Sequence, residues 1–389
     1  MVSKMDFATA LAQLKVDGLY RENQDYTPID GAYVMADGQR CLMLASNNYL
    51  SMTHDASVKT AAIEAIEQYG TGSGGARLTT GSHPLYAELE HNLAVFKKTE
   101  AAVTFNTGYM ANLGIISALM NHEDVIFSDA LNHASIIDGC RLSGAQRKIF
   151  LHSDMDALAQ LLAITPCQGK RLIVVDGVFS MDGDIAPLPQ LVELARKFNA
   201  LLMVDDAHAT GILGNGHGTA AHFGLQGQVD IQMGTLSKSL GAEGAYVAGS
   251  RPLIEFLINK ARSYIFSTAL SPAVIGAANQ ALKLLIHSQE KVDRVLQNAA
   301  MLRETLQGEG IAVGGSITPI LPILIGGAEE TVQIAKLLRQ EGIIVSAIRP
   351  PTVPTGASRL RLTVSANHRA ADLMNAATVI AREIKKIKG

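Results

Sequence analysis

The chain predicts an α/β protein with a mostly parallel central sheet and a smaller α+β unit after it, and three observations carry that expectation. Short, continuous apolar runs recur from residue 101 to residue 249. Helix patterns such as LPQLVELARKFNA (188–200) lie between several of them. The polar, chemistry-bearing clusters come directly after the apolar runs. Continuous apolar strands alternating with helices imply a parallel sheet covered on both faces. Ligands of such sheets sit beyond the carboxyl ends of the strands, which is where these clusters fall.

In chain order, residues 1–50 form an N-terminal helix and strand segment. MVSKMDFATALAQLKVDGLYREN is an amphipathic helix pattern without a long apolar core before a small-residue cleavage site, so no signal peptide is expected. A short strand pair follows in GAYVMADGQRCLMLAS, then the turn NNYLSM. Residues 51–285 form the large domain. Its strands are expected at 101–106, 124–129, 171–177, 201–206, 230–235 and 244–249. A long helical stretch runs through 271–306. Residues 286–389 form a small C-terminal α+β domain, in which PILPILIGG, IIVSAIRPP and SRLRLTVS alternate with the helix AEETVQIAKLLRQEG and end on ADLMNAATVIAREIKKIKG.

A chain of 389 residues with 48% hydrophobic and 18% charged residues buries a sizeable core and divides into more than one domain. A formal charge of -3 gives no reason to expect nucleic acid or an anionic membrane as partner. Aromatic residues are sparse and Trp is absent, which disfavours a base-stacking surface. Three cysteines, Cys41, Cys140 and Cys167, stand far apart without a CxxC, as suits free thiols in a reducing cytoplasm. No apolar run approaches the length of a membrane span.

In GTLSKSLGAEG (234–244), Lys238 stands among Thr235, Ser237, Ser239 and glycines rather than among charges. A lysine desolvated by small neighbours has a lowered pKa and becomes a nucleophilic amine able to form a Schiff base. In DDAH, Asp205, Asp206 and His208 follow LLMV. That stretch is open to three readings: a solvated turn, a metal site, or a carboxylate that keeps a ring nitrogen protonated. A metal needs further ligands at suitable spacing, and the eleven histidines include no HxH or HxxxH pair. His133, in LNHASI, is either a satisfied buried histidine or a flat ring that stacks on a cofactor. NTGYMAN opens a helix and offers the backbone N–H groups of Gly108 and Tyr109 to a phosphate. Together these supply the four needs of a pyridoxal phosphate site: lysine, acidic partner for the ring nitrogen, phosphate cradle and ring cover. GTGSGG (70–75) fits GxGxxG literally but follows a helix pattern rather than a strand, so it is no dinucleotide fingerprint. GTLSKS lacks the Gly directly before Lys that a phosphate-binding Walker loop requires.

Taken together, TLSKS, VDDAHATG, DGVFSMDGD, LNHASI and GSGGARLTTG resemble the α-oxoamine synthases, in order and over nearly the whole chain. The resemblance implies the aspartate-aminotransferase-like fold (PLP fold type I), pyridoxal 5'-phosphate as cofactor, a homodimer with shared active sites, and a cytoplasmic enzyme. It implies Lys238 as the Schiff-base residue and proton carrier, and Asp205 as partner of the ring nitrogen. It implies His208 and Ser180 as hydrogen-bond partners of the ring hydroxyl oxygen, and His133 stacked on the ring. Gly108, Tyr109, Thr235 and Ser237 would hold the phosphate end. Ser267 and Thr268 would reach a phosphate across the dimer interface. Arg361 would grip the amino-acid carboxylate with Asn47 nearby, and Arg21 and Thr352 would contact the acyl donor. Asp176 stands where relatives often carry Glu, which leaves the role of that acid open.

Within the family, AIRPPTVP points to the members that condense L-alanine with a pimeloyl thioester, carried on coenzyme A or on acyl carrier protein. The alternatives are a glycine C-acetyltransferase of the same family and a non-catalytic subunit that keeps the fold.

Overall fold

The computed structural model describes residues 6–287 and 289–388. The parts of the expected N-terminal helix at 1–5, of the long helical stretch at 288 and of the closing helix at 389 lie outside the described residues. The helices are α1 (Phe7–Val16), α2 (Ala56–Tyr69), α3 (Pro84–Lys97), α4 (Gly108–Leu119), α5 (Ala134–Leu142), α6 (Met155–Ile164), α7 (Leu188–Lys197), α8 (Thr219–His222), α9 (Arg251–Lys260), α10 (Arg262–Ile265), α11 (Pro272–His287), α12 (Gln289–Gly308), α13 (Ala328–Gln340) and α14 (Ala370–Lys388). The strands are β1 (Thr27–Pro28), β2 (Tyr33–Ala36), β3 (Gln39–Met43), β4 (Ala101–Phe105), β5 (Val125–Asp129), β6 (Gln146–Phe150), β7 (Arg171–Asp176), β8 (Ala200–Asp205), β9 (Ile231–Thr235), β10 (Ala245–Gly249), β11 (Ile320–Gly326), β12 (Ile343–Ile344), β13 (Ser346–Ile348) and β14 (Ser358–Thr363).

Seven strands form the central sheet in the order β4-β10-β9-β8-β7-β5-β6. Alternation along its inner strands shows why they read as unbroken apolar runs. On β7, Leu172 and Val174 pack into one buried cluster with Ile115 and Ile136 of α4 and α5. Ile173 and Val175 pack into the other with Leu158 and Leu191 of α6 and α7. Both faces are covered, so every position must be apolar. Each such buried aliphatic side chain contributes roughly 1.5–3 kcal/mol relative to an exposed one.

The central sheet is mostly parallel, as expected, and two details go beyond the sequence expectation. β10 runs antiparallel to both β4 and β9. The loop that joins β9 to β10 carries Lys238 and contains no helix, so it cannot cross over to return a parallel strand. The edge strand β6, QRKIF, was not anticipated. Three of its five residues are exposed and it is rich in polar residues, so it lacks the apolar run that marks the inner strands.

The smaller sheets join distant parts of the chain. β2 and β3 form a hairpin across Asp37 and Gly38, both at positive φ (52° and 77°), the pairing a tight hairpin turn needs. β12 then pairs parallel to β3. Leu42 and Leu44 thereby share a core with Leu302, Ile334, Leu362 and Ile380. β11, β14 and β13 form the antiparallel C-terminal sheet. No helix among the described residues is long and apolar enough to cross a membrane.

Candidate active site

Four neighbouring strands of the central sheet end on chemistry-bearing residues: β5 on Asp129, β7 on Asp176, β8 on Asp205 and β9 on Thr235. All four are parallel, so these ends lie along one edge of the sheet, the edge where open α/β sheets bind ligands.

Asp205 is 4% exposed. Its Oδ2 accepts from Asn112 Nδ2 at 2.8 Å and its Oδ1 from the backbone N–H of Ala207 at 2.9 Å. Lys238 sits on the loop after β9. Burial and the charge of Arg361 lower its pKa, while Asp205 and Asp176 oppose the shift. The amine is therefore more readily unprotonated than an ordinary lysine. Thr235 Oγ1 donates to Gly244 O at 2.9 Å, lies 2.7 Å from Ser237 Oγ, and accepts from the Ser237 backbone N–H. This small hydroxyl network shapes the loop next to Lys238. His208 is buried with Nδ1 2.7 Å from the Tyr49 hydroxyl. Burial, then Lys238, Arg361 and His133, hold its pKa well below the usual histidine range, so the ring is neutral.

His133 caps α5. Its Nδ1 accepts from the Ser135 backbone N–H at 3.2 Å and lies 2.7 Å from Ser135 Oγ. The acceptor role places the ring proton on Nε2. Burial and Lys238 lower its pKa against the pull of Asp205. Asn112 Nδ2 also donates to Ser135 Oγ at 2.8 Å, which links Asp205 to the His133 cap through one buried amide. The His133 backbone N–H donates to Asp176 Oδ2 at 2.7 Å, and the Asp176 N–H donates to Asn132 Oδ1 at 2.9 Å. Burial and the nearby Asp205 charge raise the Asp176 pKa well above the usual carboxylate range.

Arg361, on β14, is 5% exposed. Its Nε donates to Ser180 O and its Nη2 to Asn47 Oδ1 at 3.1 Å. The Tyr49 hydroxyl lies 3.2 Å from the same Asn47 oxygen. Arg361, Asn47, Tyr49 and His208 thus form one continuous chain of contacts, which brings the C-terminal sheet to the edge of the central one.

The other expected residues fall in three places. Gly108 and Tyr109 open α4, capped by Thr107, whose Oγ1 accepts from the Met110 N–H at 3.1 Å. A Cβ at Gly108 would stand 3.2 Å from Met233 Cε, so the first turn lies close against β9. Arg21 and Thr352 line a separate cavity of about 640 Å³ together with Lys336, Ile348 and Arg349. Ser267 and Thr268 form no side-chain hydrogen bond to the Lys238 cluster among the described residues. The Thr268 carbonyl accepts from Asn106 Nδ2 at 2.6 Å and Thr268 pairs with Ala76 of the glycine-rich loop.

Sequence reasoning missed Asn112 and Tyr49. Both are buried, at 1% and 0% exposure, and belong to the quoted stretches NTGYMAN and NNYLSM. A polar residue on an otherwise apolar helix was the available signal for Asn112. Asp206, by contrast, faces away into a structural pair. Its Oδ2 binds Lys97 Nζ at 2.8 Å, and both side chains are almost fully buried.

The donor set fits pyridoxal phosphate. A buried carboxylate, a lysine amine of lowered pKa and the first-turn N–H groups of a helix match the ring nitrogen, aldehyde and phosphate in chemical type. Among the described residues no group of three or more His, Cys, Asp and Glu is placed to hold a metal ion.

The sequence profile of the aminotransferase class I and II family matches residues 39–380. An 8-amino-7-oxononanoate synthase of Geobacter sulfurreducens is 51% identical over 383 residues, which cover 98% of each chain. The 8-amino-7-oxononanoate synthase 2 of Bacillus subtilis is 46% identical over 366 residues, 93% of each chain. A solved serine palmitoyltransferase from S. paucimobilis with a bound PLP–myriocin aldimine matches with a TM-score of 0.93 at 32% identity, covering 98% of this chain and 97% of that one. An 8-amino-7-oxononanoate synthase from Francisella tularensis matches with a TM-score of 0.77 at 31% identity, over 89% and 98%. The chain belongs to the aminotransferase class I and II family. Within it, the chain is a pyridoxal phosphate-dependent acyltransferase, of a kind with the 8-amino-7-oxononanoate synthases that resemble it over nearly their full length.

Proposed function

We propose that this enzyme condenses L-alanine with a pimeloyl thioester to give 8-amino-7-oxononanoate, carbon dioxide and the free thiol, a step of biotin biosynthesis. The observation that carries the reading is the convergence of Lys238, Asp205, His208, His133 and Arg361 at one edge of the sheet in a chain 51% identical to a synthase of that name.

Bound pyridoxal phosphate supplies an electron sink for the pair released at the α-carbon of the amino acid. Asp205, held by Asn112, would keep the cofactor's ring nitrogen protonated. When the cofactor is bound, His208 and Ser180 would hydrogen-bond its ring hydroxyl oxygen and His133 would stack on its ring. The amides of Gly108 and Tyr109 would hold the cofactor's phosphate, assisted by the Thr235 and Ser237 hydroxyls. Arg361 grips the alanine carboxylate as a charge-assisted pair, steadied by Asn47. That grip orients the Cα–H bond toward Lys238, whose unprotonated amine takes the proton as general base. A bond forms between the alanine α-carbon and the thioester carbonyl carbon, and the carbon–sulfur bond breaks, the leaving thiolate taking a proton from solvent. His133 donates from Nε2 to the oxyanion that develops on the way. The carboxylate leaves as carbon dioxide, and Lys238 returns the proton to the α-carbon. Arg21 and Thr352 hold the acyl donor. Ser267 and Thr268 serve the phosphate of a second subunit.

Thiol release by the purified protein, with alanine, glycine and serine each crossed with pimeloyl-, acetyl-, succinyl- and palmitoyl-CoA, tests this reading. Release dominated by alanine with pimeloyl-CoA supports it. Preference for glycine with acetyl-CoA overturns the substrates, and release only with a pimeloyl-acyl carrier protein moves the donor to that carrier.

A further inference from the structure

His152 takes no part in the chemistry above, yet it is the only histidine among the described residues with a carboxylate at each ring nitrogen. It follows β6. Its Nδ1 lies 3.0 Å from Asp129 Oδ1, at the end of β5, and its Nε2 lies 2.9 Å from Asp184 Oδ2. A carboxylate can only accept, so both ring nitrogens must donate and the ring carries a full positive charge. Burial opposes that charge, but the two carboxylates raise the pKa to about 10. Asp129 and Asp184 are the charged groups that face the ring, and the ring edge packs on Phe179 with centroids 4.4 Å apart.

Phe179 and Asp184 are the stem of one loop. The Phe179 N–H donates to Asp184 O at 3.0 Å, and Val178 bridges Ile185. The tip of that loop carries Ser180. From the other side it is held by the C-terminal sheet: Arg361 Nε donates to Ser180 O, Arg359 pairs with Asp182, and Ser316 and Thr318 both donate to Gly183 O. Asp129 is itself braced by the N–H groups of Leu131 and Ser153.

We propose that His152 is a positioning residue: a permanent cation that fastens the 178–185 loop to β5 and so sets where Ser180 and Arg361 stand relative to Lys238. The proposal rests on the reading of Arg361 as the grip on the alanine carboxylate. A displacement of Arg361 by a fraction of an ångström weakens that grip more than it alters proton transfer by Lys238.

The test uses the full-length holoenzyme labelled with 15N-histidine, with His152 assigned by comparison with His152→Gln. At pH 8 both ring nitrogens of His152 show protonated shifts, whereas a neutral ring at that pH overturns the proposal. His152→Gln and Asp184→Asn each raise the KM for alanine roughly tenfold and change kcat much less. Because Asp184 is 38% exposed, its variant keeps the test open where His152→Gln fails to fold. His152→Lys, which keeps a cation at the position, recovers part of the loss. An unchanged KM for alanine in both folded variants overturns the positioning role. Failure of the wild-type protein to use alanine defeats the functional reading instead, while the NMR result on the charge of His152 stands apart from it.

Discussion

Lys238 and Arg361 illustrate how one side chain is tuned by where the fold puts it. Both are basic, yet the proposed reaction asks one to act as an amine base and the other to grip a carboxylate. Lys238 lies among small residues, and its own burial lowers its pKa, while Arg361 offers a planar fork of donors that matches a carboxylate. Lys238→Ala is expected to abolish the covalent link to the cofactor, so borohydride reduction leaves no added mass, and turnover falls by roughly 10³-fold. Turnover near that of the parent would remove Lys238 from its role. Arg361→Lys keeps the charge but loses the fork that spans Asn47 and the Ser180 carbonyl. A charge-assisted hydrogen bond is worth about 1.5–3 kcal/mol, so the KM for alanine should rise on the order of 10–100-fold in steady-state kinetics. Lys238 stood out in the sequence because its neighbours in GTLSKS are small and uncharged, whereas Arg361 was singled out only by the resemblance to the α-oxoamine synthases. Asn112 was not, because its meaning lies in two partners, Ser135 and Asp205, that stand 23 and 93 residues away.

At the scale of the element, the strand ends and the loops behind them do the positioning. The inner strands were readable because burial on both faces leaves no room for polar residues. β6 was not, because an edge strand with exposed residues carries no such mark. The loop after β7 is pinned from both sides, and one of its pins titrates. The pKa of His152 is raised in the folded chain to about 10 from an ordinary value of 6.5. Its stabilising contribution is therefore full below about pH 6.5 and is lost as pH rises toward 10. Stability followed by urea unfolding should decline across that window, and His152→Gln should flatten the decline. Equal slopes for the two proteins would count against a charged His152.

For the whole molecule, two buried arrangements join parts of the chain that sequence reading treats separately. Lys97 at the end of α3 pairs with Asp206 after β8, and Lys97 Nζ also donates to His217 O at 2.6 Å. Burial works against the lysine charge, but Asp206 holds its pKa above the ordinary range. Gly218, at φ 103°, passes so close that a Cβ would stand 2.1 Å from Asp206 Oδ2. Lys97→Met leaves Asp206 uncompensated and is expected to cost about 3–5 kcal/mol in chemical denaturation. A loss below 1 kcal/mol would mean that Asp206 finds another partner. The second arrangement is the pairing of β3 with β12, which places Leu44 in a core built mostly from residues beyond 298. Leu44→Ala should cost about 2–5 kcal/mol. The measurable consequence is a lower urea midpoint for the whole enzyme.

The sequence by itself determined the α/β alternation, the strands that end at Asp129 and Thr235 and, to within one residue, those that end at Asp176 and Asp205, and the residue types of a lysine-based cofactor site. These are local properties: apolar period, turn chemistry, and a nucleophile set among small neighbours. Only the tertiary structure decided that β10 turns back antiparallel, that Asp206 pairs with Lys97, and that Asn112 meets Asp205, Tyr49 meets His208 and His152 meets Asp129 and Asp184. Each of those depends on which side chain another strand or helix brings within about 3 Å, and that meeting of distant segments leaves no trace in the spacing of any one of them.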